Sequence, residues 1–252
     1  MKFKLLDQCS AVRHLVTEKK SEVSCGFSLA LHTGEPREQI VKNRDTLADH
    51  FGTDSLFVGI RQVHGDTVHV VTETKERGWA TLSDAVEADA VITNLPQMVL
   101  TILTADCVPI LLYDPVAGVI GAVHAGWKGT EAEILPKTIA KMQEKYGSAP
   151  QDILIAIGPA IGQCCYEVGS EVSEHFMGYA DAVIEGKAAG KYQLDLKRVN
   201  QLQATKSGID TKHIEVTPLC TSCAKDRFFS YRAEQGCSGR FVSAISLAKL
   251  DE

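Results

Sequence analysis

Three residues of this sequence combine metal-ligating chemistry with a shared structural setting. His64 closes an apolar stretch, Leu56 to Ile60 with Val63, just before Gly65-Asp66. Cys107 precedes a six-residue apolar run from Val108 to Tyr113, and His124 ends a second apolar run that begins at Val119. Apolar runs of this length bounded by Gly, Pro or Asp read as buried strands. Each of the three side chains is therefore placed at a strand edge. One thiolate and two imidazoles form a competent zinc set with a fourth position open for water or substrate. The plainer alternative is a packed cysteine beside two hydrogen-bonded histidines. It is the better reading of any one of them alone, and the weaker reading of all three together.

The same ligands suit blue copper only with a weak axial partner, commonly Met. Met1, Met98, Met142 and Met177 are the methionines, and none adjoins a candidate ligand. Eight histidines without a His-x-His pair also argue against a multicopper oxidase. Copper is disfavoured on both counts. A metal-free reading also stands, with Cys107 as nucleophile and His124 as base. A further one makes the metal a mere staple between strands.

Other residues are less specific. Asp106 adjoins Cys107 and either orients a histidine or bound water, or is a turn aspartate. Gly126-Trp127-Lys128-Gly129 leads into a helix start, where free N–H groups and Lys128 suit an anion; a solvated lysine beside a simple cap fits equally. Cys220-Thr221-Ser222-Cys223 has Cys-x-x-Cys spacing, but a structural zinc needs a second pair and Cys237 is the only other thiol nearby in sequence. The adjacent Cys164 and Cys165 are read as packing or cavity wall.

The elements that must position these residues follow from the pattern. Leu56–Gly65 and 67–72 read as a hairpin, 88–93 and 98–104 as strands, and 108–114 with 119–124 as an antiparallel pair. Val23 to Leu31 reads as a strand or extended piece, and Phe228 to Arg232 as a strand. Thr130 and Glu133 fit a capping box for a helix towards Tyr146, with Pro136 kinking it or marking a late start. Asp195 caps a helix to Ser207. With 252 residues, 44% of them hydrophobic, and no repeat or linker, the expectation is one mixed α/β domain over 1–252. A net charge of −6 without basic runs excludes nucleic acid as a natural partner. No apolar run reaches membrane-spanning length, and residues 1–8 do not resemble a signal peptide, so no membrane partner and a cytoplasmic location are expected.

Five motifs in order carry a family resemblance: Gln62-Val63-His64-Gly65; Thr104-Ala105-Asp106-Cys107-Val108-Pro109; His124-Ala125-Gly126-Trp127-Lys128-Gly129; Gly158-Pro159-Ala160-Ile161-Gly162 with Cys165-Tyr166-Glu167-Val168-Gly169; and Phe228-Phe229-Ser230-Tyr231-Arg232. The sequence resembles the laccase-domain, polyphenol-oxidase-like family of purine nucleoside phosphorylases. That resemblance implies a single mixed α/β domain related to the bacterial cytotoxic deamidase, cysteine-hydrolase-like fold. It implies Zn²⁺ on His64, Cys107 and His124, which double as the catalytic residues. It implies phosphorolysis of adenosine, inosine, guanosine and methylthioadenosine, with adenosine deamination as a second activity. Gln62, Asp106, Lys128 and Arg232 are the candidate substrate- or phosphate-binding residues, the partners are purine nucleosides and phosphate, and a homodimer is allowed. One stretch departs from the family. The usual Thr-Arg and Gly-Gly-Val-Ser near the N-terminus correspond to Thr17-Glu18-Lys19-Lys20-Ser21-Glu22-Val23-Ser24, which lacks the arginine and both glycines.

Overall fold

Strands buried on both faces need apolar residues at every position, and β-sheets supply the two faces alternately. This alternation organises the protein. The computed structural model describes residues 1–52, 54–179, 181–236 and 239–248. In chain order the strands are β1 (Val12–Val16), β2 (Leu56–Val58), β3 (Val68–Val70), β4 (Ala90–Thr93), β5 (Met98–Thr104), β6 (Val108–Asp114), β7 (Val119–Ala125), β8 (Leu154–Ile157), β9 (Glu167–Gly169), β10 (Val183–Glu185), β11 (Lys191–Leu194), β12 (Ile214–Val216) and β13 (Phe241–Leu247). They form a six-stranded sheet ordered β12-β8-β6-β7-β4-β3, a four-stranded sheet ordered β1-β13-β5-β2, and a small β10-β11-β9 sheet.

The two larger sheets pack face to face. From β6, Leu111 and Tyr113 meet Leu100 and Ile102 of β5 and Phe241 and Ile245 of β13 in one apolar cluster. The alternate residues Ile110 and Leu112 point the other way, into a second cluster. That outer face is covered by α4 (Ile134–Tyr146) and α6 (Leu196–Lys206) through Ile134, Leu135, Ile139, Met142, Leu196 and Val199. On the far side of the four-stranded sheet, Val99, Val242 and Ala244 pack with Leu47 of α2 (Arg37–Ala48) and with Phe57 and Trp79. The result is helix, sheet, sheet, helix in layers: a mixed α/β fold, as expected. Among the described residues no helix is long and apolar enough to cross a membrane.

The β6–β7 pair forms as read, with Pro109 opposite His124 and Val108 opposite Ala125. Asp114 closes its turn by accepting from the amides of Val116 (2.8 Å) and Ala117 (3.0 Å). Asp195 caps α6, accepting from the Arg198 amide at 3.0 Å. Pro136 lies in the first turn of α4, where its missing N–H costs nothing, so it marks a start rather than a kink.

Four local expectations fail. The expected hairpin does not form: β2 pairs with β5 and β3 with β4, each in parallel, so residues 59–67 cross from one sheet to the other. The capping box is absent because Thr130 lies inside α3 (Trp127–Glu131), its Oγ1 and carbonyl occupied by Asn200 and Gln203 of α6. Val23–Leu31 is not a strand; it contains a 3-10 turn with Cys25 and Phe27 at positive φ. Phe228–Arg232 is irregular and enters a turn at Tyr231, and its two phenylalanines are buried.

Candidate active site

The β6–β7 register brings the ends of two strands together, and the crossing segment adds the third group. Cys107 stands just before β6, His124 near the end of β7, and His64 on the segment between the sheets. One ligand atom from each lies within 4.8 Å of the others. The Cys107 sulfur is 3.8 Å from His64 Nε2, and the two imidazole rings meet edge to face, 4.8 Å apart. His64 takes a left-handed φ of 61°, which turns its ring towards the strand ends. Gly126 leaves room for the cluster: a Cβ there would lie 3.0 Å from His64 Cδ2 and 3.2 Å from the Cys107 sulfur.

Asp89 assembles the site. It is fully buried at the start of β4. Its Oδ1 is 2.8 Å from His124 Nδ1 and accepts from the His64 amide at 3.0 Å. Its Oδ2 accepts from the amides of Gly65 (2.6 Å) and Val63 (3.3 Å). One carboxylate thus fixes the His64 loop and the His124 ring at once, leaving His124 Nε2 for Cys107 or a metal. Burial pushes this carboxylate up, but the His124 ring and the loop amides hold it below its ordinary value. Burial likewise raises the Cys107 thiol, yet His124 and His64 outweigh it and bring the thiol to about 6. His124, opposed by burial but favoured by Cys107 and Asp89, rises to about 9. Without metal, a thiolate–imidazolium pair therefore stands ready near neutral pH. The donor set fits a dication well: a thiolate, two Nε2 atoms, and a carboxylate behind one histidine.

Asp89 escaped the sequence reading because it sits in an alternating Ala-Asp-Ala stretch that reads as strand. The available signal was an ionisable residue inside that otherwise apolar run. Replacing it tests its role: Asp89→Asn should weaken zinc binding by roughly 10–100-fold in a chelator competition. Unchanged affinity would mean that Asp89 only ties down the loop.

The cluster opens into a cavity of about 760 Å³ lined by Gln62, Asp106, Trp127, Tyr166, Tyr231 and four arginines, Arg44, Arg61, Arg232 and Arg240, among others. Gln62 clamps the backbone of Leu103, donating to its carbonyl (2.8 Å) and accepting from its amide (2.9 Å). Asp106 orients no histidine. It accepts from Thr221 Oγ1 at 2.6 Å and from the Arg232 amide at 2.7 Å, so it ties two later loops to the site. The Arg232 side chain donates to the Glu167 carbonyl at 3.1 Å and lies over the Tyr166 ring. Lys128 is exposed, its ammonium 5.6 Å from the Trp127 ring, and does not line the cavity. Nor does any residue from 17 to 24, the stretch that departs from the family pattern.

Fold and site together define a mixed α/β protein with a histidine–cysteine–histidine centre beneath an arginine-bearing cavity. Residues 13–248 match the family model described as multi-copper polyphenol oxidoreductase laccase. The chain is 38% identical to purine nucleoside phosphorylase YlmD of Bacillus subtilis over 88% of its length and 82% of that protein's. It is 35% identical to adenosine deaminase RL5 from an unknown prokaryotic organism, covering 87% of this chain and 86% of that one. The crystal structure of YlmD from Geobacillus stearothermophilus superposes with a TM-score of 0.89 at 34% identity, covering 95% of this chain and 93% of that one. The chain belongs to this laccase-domain family, whose relatives named here process nucleosides.

Proposed function

We propose that this protein is a zinc-dependent, cytoplasmic purine nucleoside phosphorylase acting on adenosine, inosine, guanosine and methylthioadenosine, with adenosine deamination as a second activity. The observation that carries the reading is the His64–Cys107–His124 cluster facing a cavity of small-molecule size. The names of the relatives supply the reaction class. Bound zinc would supply Lewis-acid charge that stabilises developing negative charge. The chain's own residues do the rest. His64, Cys107 and His124 hold the ion, and Asp89 fixes their geometry. Arg232, with Arg61, offers the charge-assisted hydrogen bonds that recognise phosphate. Gln62 and Asp106 hold the cavity floor and loops in register, and the Trp127 and Tyr231 rings offer faces for a purine. Lys128, outside the lining, contributes at most long-range attraction.

A copper oxidase reading finds no thioether among the cavity-lining residues. A metal-free hydrolase reading has the lowered Cys107 thiol in its favour, with His124 and His64 both helping to lower it. Incubation with inosine and phosphate separates the three. Hypoxanthine and ribose 1-phosphate should appear only with phosphate present, and Arg232→Ala should raise the phosphate KM about tenfold or more, as loss of a charged hydrogen bond implies. Equal base release without phosphate would mean a hydrolase. No release from zinc-loaded protein would sink the reading.

A further inference from the structure

A second group of sulfur atoms lies away from the site just described. Cys164 and Cys165 follow β8 and its Gly158–Gly162 loop, and Cys220 and Cys223 follow β12. Because β8 and β12 are parallel neighbours, both loops leave the same sheet edge, and Ala160 pairs with Cys220 across them. The four sulfurs all lie within 4.8 Å of one another. Cys164 is 3.6 Å and Cys165 is 3.4 Å from Cys223, and Cys164 is 3.8 Å from Cys165. A tetrahedral zinc with bonds of about 2.3 Å holds its four sulfurs about 3.8 Å apart. A disulfide would need about 2.05 Å. The observed spacings match the first figure and not the second. Their separations are also too short for an iron–sulfur cubane, whose cysteine sulfurs bind separate metal atoms.

The surroundings suit a thiolate centre. The Gly162 amide donates to the Cys220 sulfur at 3.2 Å. Lys197, buried in α6, donates to the carbonyls of Thr217 (2.8 Å) and Leu219 (2.9 Å), directly before Cys220. Together with Cys164 and Cys220 it lines a cavity of about 290 Å³. Its ammonium offsets part of the double negative charge that four thiolates leave on a zinc ion.

We infer that Cys164, Cys165, Cys220 and Cys223 form a closed, four-coordinate structural zinc site, separate from the His64–Cys107–His124 centre. The Cys-x-x-Cys pair gains its missing partner from the adjacent cysteines; Cys237 lies outside the described residues. The site is placed to brace the catalytic cavity from behind. Thr221, between two of its ligands, donates to Asp106, the neighbour of Cys107. Tyr166, next to Cys165, forms part of the cavity wall. The inference does not depend on the phosphorylase reading.

The test is a metal count on the full chain, purified reduced and without chelator. Wild-type protein should carry two zinc ions per chain. Cys107→Ala should retain one, and the Cys220→Ser, Cys223→Ser double variant should also retain one. Cobalt substitution of Cys107→Ala should give the intense sulfur-to-metal charge-transfer band of a four-thiolate site. This arm needs no change at the four cysteines, so it stands even if the double variant fails to fold. A metal-free Cys107→Ala protein whose four thiols react freely with a disulfide reagent would overturn the site. So would a mass two hydrogens lighter that is restored by reduction, or iron in place of zinc.

Discussion

Cys107→Ala should abolish phosphate-dependent base release, lowering kcat/KM by at least about a thousandfold, because the centre loses its single anionic ligand and with it the ion's Lewis-acid charge. The His64 and His124 rings would remain, but two neutral imidazoles hold zinc far more weakly than the pair with a thiolate. The fold should survive. Cys107 is half-buried and lines the cavity, and the apolar clusters that stabilise the sheets do not include it. Compared in metal-free form, wild type and variant should therefore unfold within about 1 kcal/mol of each other. Steady-state assays paired with urea unfolding check both halves. Retained activity in a protein shown to lack the Cys107-dependent zinc would remove the proposed centre. Lost activity with a collapsed urea midpoint would make Cys107 a structural residue.

The largest stability effect is expected at the opposite kind of position. Phe241 is fully buried between the two large sheets, 5.2 Å from the Phe228 ring. It begins β13, the strand that β1 and β5 both pair with. Phe241→Ala removes a ring from a close-packed layer that cannot collapse onto the space, and should cost about 3–5 kcal/mol. Val116, 76% exposed in the β6–β7 turn, is the control: Val116→Ala should change stability by less than about 0.5 kcal/mol. Urea midpoints of metal-stripped protein measure both, since bound zinc would add its own stabilisation to the folded state. Equal shifts at the two positions would show that the interface between the sheets is not the main core.

What the sequence made legible divides along a physical line. The runs 98–104, 108–114 and 119–125 are apolar at consecutive positions because each buries both faces, and that pattern needs no knowledge of partners. Asp195 announces α6 through its own side chain. Errors arose where the deciding partner was remote. Residues 56–72 look like a hairpin, yet β2 and β3 each find a strand elsewhere in the chain. Thr130 looks like a helix cap, but α6 claims its hydroxyl. The site divides the same way. His64, Cys107 and His124 could be read because their residue types are rare at strand ends. Asp89 could not, since its value lies in four groups that only the fold brings to it. The Cys-x-x-Cys pair looked incomplete because its partners lie beyond β9 to β12 in the chain.

Asp89 also governs when a metal ion can enter. The groups it gathers belong to the 59–67 crossing and to β7, and its own strand must be paired before its carboxylate faces them. The ion's complete donor set, with the His64 loop and the His124 ring both held by this carboxylate, exists only in the paired sheet. The ion is therefore a late arrival at a finished molecule, unlike the nucleating metal of a small zinc finger. With zinc as the ion, as proposed above, protein made in a cell short of it would be folded but idle at this centre. Returning supply would restore that dormant stock without new synthesis.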